Sequence, residues 1–125
     1  MRPFTIFIPV LDEAAILEAN ALKVLAAARG LETPFELLLG SNGSTDATPE
    51  LARRLALRHP EVNCFHLPER GAGAALRRGL ELARYDFIVT LDMDLPCGLD
   101  FIAQALALLE THDFVIGSKK SGAAQ

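Results

Sequence analysis

Five short apolar runs, at residues 5–10, 35–39, 62–67, 87–91 and 114–117, are each closed by turn-forming residues. They leave the chain few folds to choose from. The run at 87–91 is the short apolar pattern of a strand buried on both faces, and the others repeat the strand signal. Between the first two runs Leu17, Ala21, Val24, Leu25 and Ala28 recur at helical spacing, with Asp12 placed to cap the helix and Gly30 placed to end it. Thr48 followed by Pro49 reads as the start of a second helix that His59 and Pro60 must close, with Leu51 and Leu55 on its apolar side. A third helix should turn Leu76, Leu80 and Ala83 inward, and a fourth is expected over residues 101–110. Strands alternating with helices of this length make βαβ units. The expected fold is α/β: a mostly parallel, Rossmann-like sheet with right-handed crossovers and helices on both faces.

At 125 residues the chain fits one domain, expected over residues 1–120, with a flexible tail at 121–125. Its net charge of -4 argues against a nucleic-acid-binding face, which needs clustered Lys and Arg. Cys64 and Cys97 have no metal-type spacing, so a reduced, cytoplasmic setting is expected. His59, His66 and His112 are likewise scattered. No apolar run approaches the ~20 residues of a membrane span. Attachment to a membrane, peripheral at its inner face, would come from a surface patch or from sequence outside these residues.

In parallel α/β sheets ligands sit beyond the carboxyl ends of the strands. The loops there hold Asp12 and Glu13, residues 41–46, residues 70–73, Asp92 and Asp94, and residues 118–120. The pair of acids after the fourth strand is the most informative. In extended chain, residues two apart point to one side, about 6 to 7 Å apart. Converging carboxylates are costly to hold ionised unless a cation compensates them. Mg²⁺ or Mn²⁺ suits the arrangement, because such ions take one or two carboxylates and leave their other positions to phosphates.

Five stretches then come in a telling order: residues 8–13, 43–46, 70–76, 91–95 and 115–119. In sequence and spacing they resemble the family 2 glycosyltransferases. The similarity is greatest to the donor-binding half of the polyprenyl-phosphate sugar transferases, the group that includes dolichyl-phosphate mannose synthase. The resemblance implies a GT-A fold and metal-assisted, inverting transfer of a sugar from a nucleoside diphosphate sugar to an acceptor such as a lipid phosphate. It assigns Asp92 and Asp94 to the metal and to catalysis. It places the donor against Pro9, Leu11, Glu13, Ser41, Asn42, Gly43, Arg70, Gly71, Gly73, Asp92 and Met93. Lys119, where the family usually has Arg, is set to meet the anionic acceptor.

The match departs from the family at identifiable places. Ser41 and Asn42 stand where two acids are usual, which bears on the base, and Ala72 stands where a Lys is usual. The resemblance also stops short of the family's acceptor-binding segment. These departures motivate an alternative, a donor-binding module without turnover. A receiver-like signalling domain is the distant alternative, but the third strand ends in Leu67, Pro68 and Glu69 with no phosphorylatable Asp.

Overall fold

The computed structural model describes residues 2–94, 102, 104 and 114–116. Within them the expected alternation is present: β1 (Phe4–Val10), α1 (Ala14–Arg29), β2 (Phe35–Asn42), α2 (Thr48–Arg58), β3 (Val62–Leu67), α3 (Ala72–Leu82), β4 (Phe87–Thr90) and β5 (Phe114–Ile116). Of the fourth helix expected at 101–110, Ile102 and Gln104 are described, and both are helical. The strands form one sheet in the order β3-β2-β1-β4-β5, and every pairing is parallel. The chain steps outward from β1 to β3 and then returns across β1 to lay down β4. Strand order therefore reverses between β1 and β4, where such sheets open a ligand crevice.

The opening has a local cause. Phe7 pairs with Thr90, and its carbonyl accepts the Leu91 N–H at 3.1 Å. Alternate residues of a parallel strand bond to the same neighbour, so the next group of β1 facing β4 belongs to Pro9. Proline has no N–H to give. The ladder stops there, β4 ends at Thr90, and the chain carrying the two acids is released into a turn at Met93 and Asp94.

The two sheet faces are unequal. On one, α1 and α2 cover Phe4, Ile6, Ile8, Val10, Leu37 and Leu39 with Leu17, Ala21, Val24, Leu25, Ala28, Ala52 and Leu55, all buried. On the other, α3 covers a small cluster of Phe7, Leu38, Ala75 and Ile88. The Phe7 and Phe65 rings stack there at 6.0 Å over Gly40, where an added Cβ would lie 2.5 Å from the Phe65 ring. With those rings filling the space, α3 packs through its smallest residues. Ala75 and Gly79 are buried, and a Cβ on Gly79 would meet the Phe7 ring at 2.7 Å. This corrects the inward face expected of α3, since Leu80 is 44% exposed and Leu76 only partly buried.

The same face carries one buried acid, Glu36, tied into the backbone. It accepts hydrogen bonds from the Thr5 hydroxyl (2.9 Å), the Asn63 amide (2.7 Å) and the Arg84 N–H (2.8 Å). The turn from α3 into β4 is thereby pinned to the centre of the sheet.

Candidate functional site

The acids of the site are set by core anchors on either side of them. Leu91 and Met93 are buried, at 3% and 1% exposure, and alternate with half-buried Asp92 and exposed Asp94. The Asn20 side chain of α1 donates to the Met93 carbonyl at 2.8 Å, which fixes the turn from below. Asp92 and Asp94 are thus carried by a turn anchored at Met93 and not by the tip of an extended strand. The Met93 side chain itself lies in the core.

Glu13 stands across the crevice at the start of α1. Its carboxylate accepts the Leu11 N–H at 3.3 Å, which lowers its proton affinity, yet the carboxyl sits above its usual range. Burial is the main cause, and the charges of Asp94 and Asp92 push the same way. Glu13 therefore lies within the field of the two acids that follow β4, in keeping with the reversal of strand order. Among the described residues no three metal-ligating side chains form a closed cage. An open pair of carboxylates is the arrangement that a Mg²⁺ or Mn²⁺ shared with phosphates uses.

At the end of β2, Ser41 and Asn42 are buried and already engaged. Ser41 donates to the Ser44 hydroxyl at 2.9 Å and lies 2.9 Å from His66 Nδ1. The Asn42 side-chain amide donates to the Val10 carbonyl at 3.3 Å, and its Oδ1 accepts the Gly71 N–H at 3.0 Å. Asn42 thus ties the ends of β1 and β2 to the start of α3, and both of its polar groups serve the protein.

Gly43 has φ +64°, and a Cβ there would lie 2.7 Å from the Arg70 backbone. Only glycine suits both the conformation and the space. Its N–H bonds the Leu67 carbonyl at 2.9 Å, so the loops after β2 and β3 are pressed together with Arg70 exposed above them. A cavity of about 260 Å³ lined by Leu67, Pro68, Glu69, Arg70 and Ala74 opens beside this contact. A larger hollow of about 550 Å³, lined in part by Arg29, Pro34 and Glu61, lies at the opposite edge of the sheet, away from the acids. Volume alone does not mark the site.

The structure brings Pro9, Leu11, Glu13, Ser41, Asn42, Gly43, Arg70, Gly71, Gly73, Asp92 and Asp94 to the carboxyl edge of one sheet. Lys119 lies outside the described residues. Sequence reasoning passed over the roles of Asp12, Ser44, Asp46 and Thr48. Asp12 was expected to cap α1. It stands instead at φ +50°, and its carboxylate accepts N–H groups of Thr45 and Asp46. The acid recurring at the end of the 43–46 stretch was the available signal.

A parallel sheet whose strand order reverses beside an acid-bearing turn defines a Rossmann-like α/β domain, and comparison with known proteins gives its family. The glycosyl transferase family 2 model matches residues 5–122, and the chain belongs to that family. Among its relatives is an undecaprenyl-phosphate 4-deoxy-4-formamido-L-arabinose transferase from Pseudomonas savastanoi, 32% identical, matched over 97% of this chain and 38% of that protein. The glycosyltransferase AglD of Haloferax volcanii is 30% identical over 92% of this chain and 19% of its own length. A mannosyltransferase from Pyrobaculum calidifontis, solved with GDP-Man and Mn²⁺, superposes with a TM-score of 0.70 at 30% identity, over 87% of this chain and 33% of that one. The fold is thus the GT-A type. The chain spans roughly a fifth to two fifths of the length of these proteins.

Proposed function

We propose that this chain binds a nucleoside diphosphate sugar across the β1/β4 crevice and serves the inverting transfer of its sugar to a lipid-phosphate acceptor on the cytoplasmic side of a membrane. The observation that carries the reading is the gathering of Glu13, Asp92 and Asp94 at the reversal of strand order, where Glu13 already feels the other two charges. Three acids cannot bind a diphosphate unaided. Asp92 and Asp94 would hold Mg²⁺ or Mn²⁺, which supplies the positive charge that makes a departing diphosphate tolerable beside carboxylates. The relative solved with GDP-Man and Mn²⁺ supports this composition.

The protein's own groups do the remaining work. The nucleoside lies against Pro9, Leu11 and the Gly43 loop, which its contact with the Arg70 backbone holds in place. Arg70, exposed beside the start of α3, is placed to pair with the diphosphate, and no side chain caps that helix start. An acceptor oxygen attacks the anomeric carbon from the face opposite the diphosphate. The anomeric C–O bond breaks with its electron pair passing to the leaving phosphate, and configuration inverts. A lipid phosphate, with a second pKa of about 6, arrives largely deprotonated and needs no general base. Lys119 is assigned to receive that anion. No helix among the described residues is long and apolar enough to cross a membrane.

Calorimetry with GDP, UDP and their sugars, with and without Mn²⁺, tests the reading. Metal-dependent binding of at least one of them is expected, and its absence for all of them refutes the assignment. A second reading, binding without turnover, draws on the internally engaged Ser41 and Asn42. Release of nucleoside diphosphate on adding a polyprenyl phosphate separates the two.

A further inference from the structure

Three consecutive backbone N–H groups, those of Asp12, Glu13 and Ala14, lead into α1. At an open helix start such donors are available to an incoming anion. Here all three are taken by the loop after β2. Asp12 N–H donates to the Ser44 hydroxyl at 3.2 Å, Glu13 N–H to the Thr48 hydroxyl at 2.9 Å, and Ala14 N–H to Asp46 Oδ2 at 3.3 Å. The traffic also runs the other way. Asp12 Oδ1 accepts the Thr45 N–H at 2.7 Å and the Asp46 N–H at 3.2 Å, while Asp46 Oδ1 accepts the Thr48 N–H at 2.8 Å.

Asp12 makes this exchange from a left-handed backbone conformation, φ +50°. A non-glycine residue is held there when its surroundings over-determine it. The bonds on both its N–H and its carboxylate supply that constraint. Neither the β1–α1 loop nor the loop after β2 completes its own hydrogen bonding; each is finished by the other.

We propose that Asp12 and Asp46 are positioning residues, a clasp that makes these two loops one rigid wall of the donor crevice. On one side the clasp fixes the Glu13 backbone, whose carboxylate faces the field of Asp92 and Asp94. On the other it fixes the loop in which Gly43 abuts the Arg70 backbone. A shift of either loop is therefore passed to Glu13 and Arg70 together. A second consequence follows: the N–H groups of Asp12, Glu13 and Ala14, being consumed by the clasp, are not offered to a phosphate. The diphosphate is left to the acid turn and the β3–α3 loop.

The proposal rests on the donor-site reading, and one experiment separates their failures. Binding of GDP and UDP in Mn²⁺ is measured by calorimetry for the wild-type chain, Asp12→Gly, Asp12→Asn, Asp46→Ala and Ser44→Ala. Glu61→Gln, at the opposite edge of the sheet, is the control for a general loss of stability. Asp12→Gly and Asp46→Ala are expected to weaken nucleotide binding about tenfold each, and the double variant hardly more than either alone, because the two act in one network. Asp12→Asn keeps one acceptor oxygen and should recover most of the affinity. Glu61→Gln should stay within about twofold of wild type. Ser44→Ala, which removes a single neutral bond, should show a smaller loss of about threefold and serves where the aspartate variants do not fold.

Wild-type binding with unchanged affinity in the variants overturns the clasp and leaves the donor site standing. An equal loss in Glu61→Gln also overturns it, since the effect is then general stability. If the wild-type chain binds neither nucleotide, the donor site itself is wrong and the clasp falls with it.

Discussion

Glu13 and Glu61 are the same side chain placed at opposite ends of one sheet, and they titrate in opposite directions. Glu61 precedes β3 at the amino edge. The Arg29 guanidinium reaches both of its oxygens at 2.9 Å, and Arg29 together with nearby His59 holds it down to about 2. Glu13 follows β1 at the carboxyl edge, where burial and two neighbouring aspartates raise it. One end of the molecule pairs its charge and the other accumulates it. An ion pair of the first kind serves the fold, and an accumulation of like charge is the arrangement expected where a ligand will complete the balance. On the proposed reading, this acidic edge is where a cation and a diphosphate would complete the balance.

Removing the acids of the turn should break this comparison most strongly. Asp94→Asn is expected to weaken Mn²⁺-dependent binding of the nucleoside diphosphate about a hundredfold, with Asp92→Asn of similar size. Either change should also bring the Glu13 carboxyl down toward its ordinary range, because each removes a charge that raises it. Calorimetry gives the first quantity and an NMR titration of the Glu13 side chain the second. Unchanged metal dependence in both variants would move the site elsewhere.

Glu13→Gln removes one member of the crowded set while keeping its shape. Donor affinity should fall about tenfold and folding stability at neutral pH should rise by about 0.5 to 1 kcal/mol, the usual opposition between an active arrangement and a relaxed one. Urea denaturation at pH 7 reads the stability. A loss of stability instead would mean that the Leu11 hydrogen bond outweighs the repulsion.

How far this division was legible in the sequence depends on the range of the interactions involved. The strands and their parallel sheet were legible, because short apolar runs such as residues 87–91 announce burial on both faces without reference to anything distant. The order β3-β2-β1-β4-β5 was not written in any single stretch, and with it came the departure of β4 at Pro9. The turn that carries Asp92 and Asp94 therefore read as straight strand. Asp12 read as a helix cap because caps are local, whereas its carboxylate bonds residues 33 and 34 positions away. For α3 the periodicity favoured Leu80, but the space beneath it belongs to Phe7 and Phe65, so that only Ala75 and Gly79 fit. That the loops carrying the candidate residues share one edge of the sheet was legible from the order of strands and motifs along the chain. Which of their side chains still have groups to offer a ligand, Asn42 above all, depended on partners far along the chain.

At the amino edge, Glu61→Gln should leave donor binding as it is and lower stability by at most about 1 kcal/mol, since the pair with Arg29 is partly open to solvent, with 45% of the Arg29 side chain and 25% of the Glu61 side chain exposed. Thermal or urea unfolding measures this. A comparable loss of nucleotide affinity would show that the two edges are coupled and that their division is not functional.

The smallest effect is also the one whose sign differs between the two glutamates. Glu61 is lowered from 4.5 to about 2, so the folded chain holds its proton more weakly than the unfolded chain. Its contribution to stability is complete above pH 4.5 and is lost as pH falls toward 2. Glu13 is raised above 4.5, so the folded chain holds that proton more strongly. It contributes nothing to the slope below pH 4.5, and stability declines as pH rises from there through its raised value, remaining lower beyond it. Between pH 2 and 4.5, Glu61→Gln should flatten the rise of stability with pH and Glu13→Gln should not. Just above pH 4.5, Glu13→Gln should remove a decline that Glu61→Gln leaves in place. Folding stability from urea denaturation, measured for wild type and both variants across pH 3 to 7, checks both slopes. Equal responses of the two variants would mean that the charge at the two edges is not divided as the geometry indicates.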